Sequence, residues 1–381
     1  MKILHISVAG ICDKFYETFL SAIQSSLNIC QDLYIPYCKE DYKEVDLEII
    51  SKYEKGGIHT IALPIKNKSD RIFYHKKINK YMKKLEKTSN IKKYTLIHAH
   101  SLYSDGGVAY LLNKKYGVPY ITAVRTTDLV FMERLPYLKN YGKRIIANAK
   151  KVVFITPDIR KMAEQYLYKN SDFLVEKGVV IPNGMDDYWH QNLSINYKIL
   201  NEKNIRLIQV SRLNKRKHVD KTIKAVEILK KEGYNVSLHI LGIGDKLGEL
   251  KRLVKQLQLE NEVNFVGFIA NKNDIKKYYN ESDIFIMPSL GETFGLTYIE
   301  AMSQGLPIIG IKNTGVSGFF ENGSVGYFID FPDAEMIAEA VKKIISNYSE
   351  ISGNSIKAIQ HFRWSSIISI YKEIYGKYIK C

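Results

Sequence analysis

The 381-residue chain is too long for one ordinary core and fits two domains of roughly 150 to 200 residues each. Hydrophobic residues at 45% and charged residues at 25% are those of a soluble globular protein, and no apolar run approaches the roughly 20 residues of a membrane span. The formal net charge of +16 points instead to an anionic partner, whether nucleic acid, an anionic membrane face or a phosphorylated substrate.

The N-terminal run Ile3 to Val8 reads as a first strand and not as a signal peptide, because it is short and is followed at once by Asp13 and Lys14. Cys12, Cys30, Cys38 and Cys381 have no zinc spacing and are expected as reduced thiols of a cytoplasmic protein. Further β-branched runs follow at Gln31 to Pro36, Ile58 to Leu63, Leu96 to Ala99, Tyr120 to Val124, Lys151 to Ile155 and Val179 to Ile181. Helix-length segments separate them, which predicts βαβ units with a parallel sheet. The segment Lys66 to Lys93 carries eleven Lys/Arg against Asp70 and Glu86, with Ile72, Phe73, Ile78, Tyr81, Met82 and Leu85 interleaved. It is expected as a basic amphipathic helix whose stripe packs on its own sheet, while its charged rim suits an anionic membrane.

Ile181-Pro182-Asn183-Gly184 reads as a strand end and turn, and the polar segment 186–204 as a linker. The expected organisation is therefore an N-terminal Rossmann-like domain over 1–185, the linker, a second such domain over 205–360, and a C-terminal helix in 361–381 that packs back on the first domain. The α/β rhythm restarts at Ile205 to Val210 and continues at Ser237 to Leu241, Val263 to Val266, Ile284 to Met287, Pro307 to Gly310 and Gly326 to Ile329. Helical patterns lie between, notably Val219 to Glu232, Gly248 to Leu257, Asp274 to Tyr279 and Ala334 to Asn347. In a doubly wound sheet the ligand sits where the carboxyl ends of the strands open outward.

Several short stretches fall at those ends. Arg212 and Lys217 follow the strand Ile205 to Val210, where two fixed cations could hold a diphosphate and neutralise it as it leaves. Lys215 and Arg216 between them read as a solvated basic loop. Gly242 and Gly244 permit a close backbone approach, and the strand end at Gly267-Phe268 could present backbone groups to a base or be only a tight turn. The run Asp283 to Pro288 reads as a buried strand that leads through Gly291 and Gly295 into a helix. Glu292 stands before that helix and Glu300 eight residues later, about 12 Å along a helix axis. The amides of Phe294, Gly295, Leu296 and Thr297 between them would favour an anion, most naturally a phosphate. Helix-dipole compensation by Glu292 and simple solvation of Glu300 remain open on spacing alone.

Taken together, these stretches resemble the group 1 retaining glycosyltransferases of family 4. The resemblance rests on Glu292 and Glu300 with seven residues between them, flanked by Pro288-Ser289, Gly295-Leu296 and Glu300-Ala301-Met302. Ile181-Pro182-Asn183-Gly184, Arg212 and Lys217, Gly242-Ile243-Gly244, Val266-Gly267 and Asp283-Ile284-Phe285 lie in the family's order, so it spans most of the chain.

The family implies an α/β fold of the GT-B type, two Rossmann-like doubly wound domains facing a central cleft. It implies donor-diphosphate contacts for Arg212 and Lys217, a ribose contact for Glu300 and a place near the transferred sugar for Glu292. Phe294 to Thr297 would offer amides to sugar and phosphate, Gly242 and Phe268 would line the donor site, and Gly10 would let the diphosphate approach from the first domain. No cofactor or metal is expected, the nucleotide sugar (UDP- or GDP-linked) being a co-substrate. The resemblance also implies a front-face displacement in which the leaving phosphate helps deprotonate the acceptor.

The first domain departs from the family's pattern. Ile97-His98-Ala99-His100 matches a strand end with a histidine facing the cleft, yet Arg125 stands at or beside the position of a second histidine. An arginine cannot act as a base, so its role there is electrostatic or positional. His100, Arg125 and Asp128 are the candidate acceptor contacts, and His100 also reads as a structural strand-end residue.

The expected partners are a nucleotide-sugar donor, a glycan or lipid-linked acceptor in surface polysaccharide or glycolipid synthesis, and an anionic membrane face touched peripherally from the cytoplasm. A glycoside phosphorylase or nucleotide-sugar epimerase on the same fold is the alternative enzyme. A nucleic-acid module fits less well, because it needs a basic stripe with aromatic readers, whereas the glycines mark a small-ligand site.

Overall fold

Runs of apolar, β-branched residues become strands covered on both faces, the condition for a parallel sheet. The computed structural model describes all residues except 9–13, 39–49, 52, 68–69, 71, 168–175, 195, 202–203 and 379–381. The described strands are β1 (Lys2–Ile6), β2 (Cys30–Pro36), β3 (His59–Leu63), β4 (Leu96–Ala99), β5 (Tyr120–Val124), β6 (Lys151–Phe154) and β7 (Gly178–Val180). They are followed by β8 (Ile205–Val210), β9 (Val236–Leu241), β10 (Val263–Gly267), β11 (Ile284–Ile286), β12 (Ile308–Ile311) and β13 (Gly326–Ile329). Their ends lie within one or two residues of the expected ones. All pairings are parallel, in the orders β3-β2-β1-β4-β5-β6-β7 and β10-β9-β8-β11-β12-β13. Both are α/β sheets of Rossmann-like type, and in each the strand order reverses once, at β1/β4 and at β8/β11.

The chain divides into two units, Met1–Gly184 with Trp364–Cys381, and Met185–Arg363. In the first unit, Phe19, Leu20 and Ile23 of helix Lys14–Leu27 pack with Ile3, Leu33 and Leu96 of the sheet. Trp364, Ile367, Ile368 and Tyr371 of helix Trp364–Gly376 join the same cluster, which is what ties the C-terminal helix to this unit. The second unit buries Ile205, Leu207, Leu238, Ile284 and Ile309 against Ile223, Val226, Ile337 and Val341 of its helices.

Two expectations change. The basic segment is not one helix over Lys66 to Lys93: its helix spans Tyr74–Thr88 and ends where Ser89 turns extended. The Asn90 side chain then caps a separate 3-10 turn, Ile91–Lys93, by accepting from the Lys92 N–H. Tyr74, Ile78, Tyr81, Met82 and Leu85 form the buried stripe, whereas Ile72 and Phe73 precede the helix and are exposed. The segment read as a linker contains helix Asp187–Gln191 with Trp189 buried, and it is fastened to the second unit. Ser194 N–H donates to Ser303 O at 2.9 Å, and Lys198 Nζ donates to the carbonyls of Tyr279, Asn280 and Ser282 at 2.6, 2.9 and 2.5 Å. A lysine at the end of helix Lys272–Glu281 satisfies carbonyls that the helix itself cannot.

The positive charge is uneven. Counted by residue, the first unit holds +14 of the net +16 and the second +2. Cys30 and Cys38 are free thiols, while Cys12 and Cys381 lie outside the described residues. Among the described residues no helix is long and apolar enough to cross a membrane.

Candidate active site

At the β8/β11 reversal, the chain leaving β8, β9 and β10 and the helix after β11 surround a cavity of about 520 Å³. Val210, Ser211 and Arg212 line it from β8, Leu241 to Gly244 from β9, Phe268 and Ile269 from β10, Ile275 from the next helix, and Thr297 and Glu300 from the helix after β11. Phe268 and Ile243 are 70% and 55% exposed, so a flat apolar wall stands open to solvent on the β9–β10 side. Large apolar side chains exposed in a concave site are ready to cover a planar ligand.

The two glycines after β9 line the cavity and also admit a close approach to the neighbouring loop. Gly242 has φ +139°, and a Cβ there would lie 1.9 Å from Ser211 O; at Gly244 it would lie 2.1 Å from Leu213 O. Their backbone approaches the neighbouring loop. The two loops are laced by Ser211 N–H to Leu241 O at 3.0 Å, Leu213 N–H to Ile243 O at 3.0 Å and Lys246 N–H to Leu213 O at 3.1 Å. This fixes the backbone from which Arg212 projects, exposed and lining the cavity.

Lys217 faces another way. It ends the 3-10 turn Lys215–Lys217 and its Nζ lies 2.5 Å from Glu292 Oε2 and 3.6 Å from Met287 Sδ. Ser289 Oγ donates to the same carboxylate oxygen at 3.2 Å. Arg216 is not merely solvated: it donates to Leu290 O and Gly291 O at 3.4 and 2.9 Å, and its carbonyl accepts from Leu290 N–H at 3.0 Å. The basic turn after β8 therefore clasps the loop that carries Glu292.

Helix Leu296–Ser303 begins four residues after Glu292, with Gly295 as a left-handed cap at φ +81°. Glu292 therefore stands before the helix, as its spacing suggests, but in a loop and not on the axis along which about 12 Å to Glu300 is counted. Among the described residues the amides of Phe294, Gly295, Leu296 and Thr297 have no acceptor, which leaves a row of donors at the positive end of the helix. Phe294 can offer only its amide, since its ring is buried edge-to-face against Phe319 and Phe362. Glu300 sits one turn in. Burial pushes its carboxyl up to about 7 and Asp186 adds to the rise, while Lys272 and the indole of Trp189 pull it down.

In the first unit the candidate residues are spent on one another. Asp128 is buried and accepts from the amides of Leu102, Tyr103 and Arg125 at 3.1, 3.2 and 2.9 Å. Arg125 Nε donates to His100 O at 3.1 Å. His100 does not face open space: its ring is 2% exposed, 3.1 Å by Nε2 from His5 Nδ1, and stacked at 4.2 Å on His98. Residues 98 and 100 share one face of the chain, and Tyr16, Phe19 and Tyr371 cover that face. His98 Nδ1 lies 2.7 Å from Tyr375 Oη.

The ring nitrogens of His5, His98 and His100 come within 4.8 Å of one another. A zinc at about 2.1 Å from each would need in-plane lone pairs that converge on it. Here His100 is stacked between the other two, at 23° to His5 and 27° to His98, with His5 and His98 at 49° to each other and His5 Nδ1 in hydrogen-bond reach of His100 Nε2. On the other face Asp105 accepts from Val8 N–H at 3.0 Å, and burial raises its carboxyl to about 7. Gly10 lies outside the described residues.

Arg212, Gly242, Phe268, Thr297 and Glu300 are thus brought to one cavity, with Lys217 and Glu292 paired in the adjoining loop. Sequence reasoning missed Ile243 and Ile275 as wall residues, and missed Asp186, Trp189 and Lys272 around Glu300. A tryptophan inside a segment otherwise polar enough to read as a linker was the available signal.

Known proteins agree with this architecture. A family model described as "Glycosyl transferases group 1" matches residues 193–360, and one described as "Glycosyltransferase Family 4" matches residues 38–188. Among curated relatives, N-acetyl-alpha-D-glucosaminyl L-malate synthase of Bacillus anthracis is 24% identical over 293 residues, 74% of each chain. The amylovoran biosynthesis glycosyltransferase AmsK of Erwinia amylovora is 31% identical over 153 residues, 39% of this chain and 37% of that one. Among solved structures, Anabaena Alr3699/HepE in complex with UDP superposes with a TM-score of 0.73 at 18% identity, over 99% of this chain and 100% of that one.

Proposed function

Because the chain belongs to the group 1 glycosyltransferases, we propose that it is a retaining enzyme moving a sugar from a nucleoside diphosphate to an acceptor hydroxyl. The observation that carries this reading is the convergence on one cavity of a free guanidinium at Arg212, an apolar wall at Ile243 and Phe268, and the Glu300 carboxylate. The wall suits a base, Glu300 the ribose hydroxyls, and Arg212 with the amides of Phe294 to Thr297 the diphosphate. The UDP complex of the Anabaena protein supports a uridine donor.

In the reaction, the bond from the anomeric carbon to the diphosphate oxygen breaks and the acceptor oxygen bonds to that carbon on the same face. The acceptor proton passes to the leaving phosphate oxygen. Arg212 and Lys217 stabilise the charge that builds there, and Glu292, beside Lys217, lies at the transferred sugar. A thermal-shift screen of nucleotide sugars identifies the donor, since saturation at a hundred times Kd stabilises the fold by about 2.7 kcal/mol. Lys217→Ala and Glu300→Ala should both lose donor affinity and turnover; unchanged values in both would remove the assignment. Release of nucleoside diphosphate only when acceptor is supplied separates transfer from phosphorolysis or epimerisation.

The acceptor is proposed to be a growing surface polysaccharide or glycolipid, a reading supported by the relative named for amylovoran biosynthesis. The charge of the first unit, +14, supports peripheral docking on an anionic membrane where a lipid-linked acceptor resides. Lys76, Lys83 and Lys84 are exposed on helix Tyr74–Thr88, and Ile72 and Phe73 stand exposed beside its start. Lys77 is different, because its Nζ donates to Ser104 Oγ at 2.6 Å. Replacing Lys76, Lys83 and Lys84 by Glu while keeping Lys77 should abolish sedimentation with anionic vesicles; full retention would rule the docking face out.

A further inference from the structure

Two side chains that the family motifs do not mark act on Glu300. Trp189, from helix Asp187–Gln191, is 1% exposed, and its indole N–H has no acceptor in hydrogen-bond geometry. Tyr279, from helix Lys272–Glu281, is fully buried, and its hydroxyl is likewise unpartnered. The two rings meet edge to face at 5.6 Å. The segment carrying Trp189 lies along the face of helix Leu296–Ser303 that includes Glu300: Ser194 N–H bonds Ser303 O, and Gln304 Nε2 bonds Asn192 O, both at 2.9 Å. Residues three and four apart share a helix face, so Glu300, Ser303 and Gln304 look the same way. Both orphaned donors act electrostatically with Glu300: the indole stabilises its anion, and the anion adds to the burial that disfavours ionising Tyr279.

A buried donor without an acceptor is costly, and two of them beside the same carboxylate call for an explanation. We propose that Trp189 and Tyr279 are positioning residues for Glu300, their N–H and O–H orienting its carboxylate toward the donor ribose. This rests on the donor-site reading of Glu300 given above. A ribose diol binds through two O–H donors, so the carboxylate must keep acceptor capacity forward while being held at the back. The charged groups around it are Asp186, which opposes the anion, and Lys272, which favours it; these two also form an ion pair with each other. With the carboxyl already raised to about 7, loss of a rear donor would favour the neutral acid at working pH.

The test uses the full-length protein and UDP as probe, with Tyr279→Phe, which keeps its ring and removes only the hydroxyl, and Trp189→Phe, which removes the indole N–H together with part of the ring system. Each donor dipole acts on the Glu300 anion at low dielectric, so each variant should weaken UDP binding about tenfold at pH 7. The loss should shrink toward wild-type affinity by pH 9, where Glu300 is ionised in every variant, and kcat at saturating donor should change less than KM. The melting temperature should hold or rise in Tyr279→Phe, because an unsatisfied buried donor has been removed, and should fall in Trp189→Phe, where the smaller ring leaves a cavity. Wild-type affinity and an unmoved pH profile in both variants, alongside weakened binding in Glu300→Ala, would overturn the positioning role and leave the donor site standing. Unchanged binding in Glu300→Ala would overturn the donor-site reading and this inference with it.

Discussion

The Lys217–Glu292 pair makes an opposite-sign prediction for two neighbouring residues. Both side chains are mostly covered, at 17% and 18% exposure, and Nζ lies 2.5 Å from the carboxylate. If the donor diphosphate draws Lys217, it must compete with Glu292 for it. At an effective dielectric near 20 the gross attraction is about 4 kcal/mol at a charge separation of roughly 4 Å. Desolvation of both groups leaves a net of about 1 to 2 kcal/mol, or roughly five- to thirtyfold in an equilibrium constant. Glu292→Gln should therefore bind UDP about five- to thirtyfold more tightly than wild type while losing sugar transfer. Lys217→Ala should bind UDP more weakly by a similar factor. Calorimetric titration of both variants and the double variant supplies the coupling energy directly. If Glu292→Gln binds UDP no better than wild type, the pair is not a competitor for the diphosphate and Lys217 is already placed for it.

Acid should loosen the first unit through its histidines. His5 is held down to about 3 by burial, and burial also drives His98 and His100 below their ordinary value. A lowered folded-state pKa gives stability that is complete above the unfolded value of about 6.5 and is lost as pH falls, by about 1.4 kcal/mol per pH unit for each histidine that stays neutral. Asp105 and Glu300, raised to about 7, act in the opposite sense, so the histidine contribution is read as a difference. Urea unfolding between pH 6 and 4 should show a slope shallower by about that amount in His5→Gln, and equal slopes would mean the stack takes up protons while folded. Gly242→Ala should cost about 3 kcal/mol or more, because its Cβ would overlap Ser211 O at 1.9 Å and φ is +139°. Calorimetry should place its second-unit transition well below wild type with UDP binding lost, and a wild-type melting curve would contradict the loop packing described.

Much of the architecture was legible because parallel strands covered on both faces must be short apolar runs, and β4, β5, β8 and β13 begin and end where those runs do. Family spacing singled out Arg212 and Glu300 in the sequence, and both line one cavity. What pairs with Glu292 was not, since that depends on how the turn holding Lys217 folds against a loop seventy-five residues away. The burial of His100 was hidden for a similar reason: its cover comes from Tyr16 and Phe19, while Tyr371, from the far end of the chain, covers the His98 ring stacked on it. The basic helix was read too long because charge and spacing persist past Ser89, while the stop lies in the backbone and in the cap at Asn90.

The nested glycine loops carry a consequence for how such a pocket could diversify. Because a Cβ at Gly242 or Gly244 would fall about 2 Å from the carbonyl of Ser211 or Leu213, side chains added at these points would dismantle the floor itself. New ligand preferences must then arise by exchanging the projecting groups at Ile243, Phe268 and Ile275. A library aimed at altering what this cavity accepts belongs at those three positions, over a floor kept as it is.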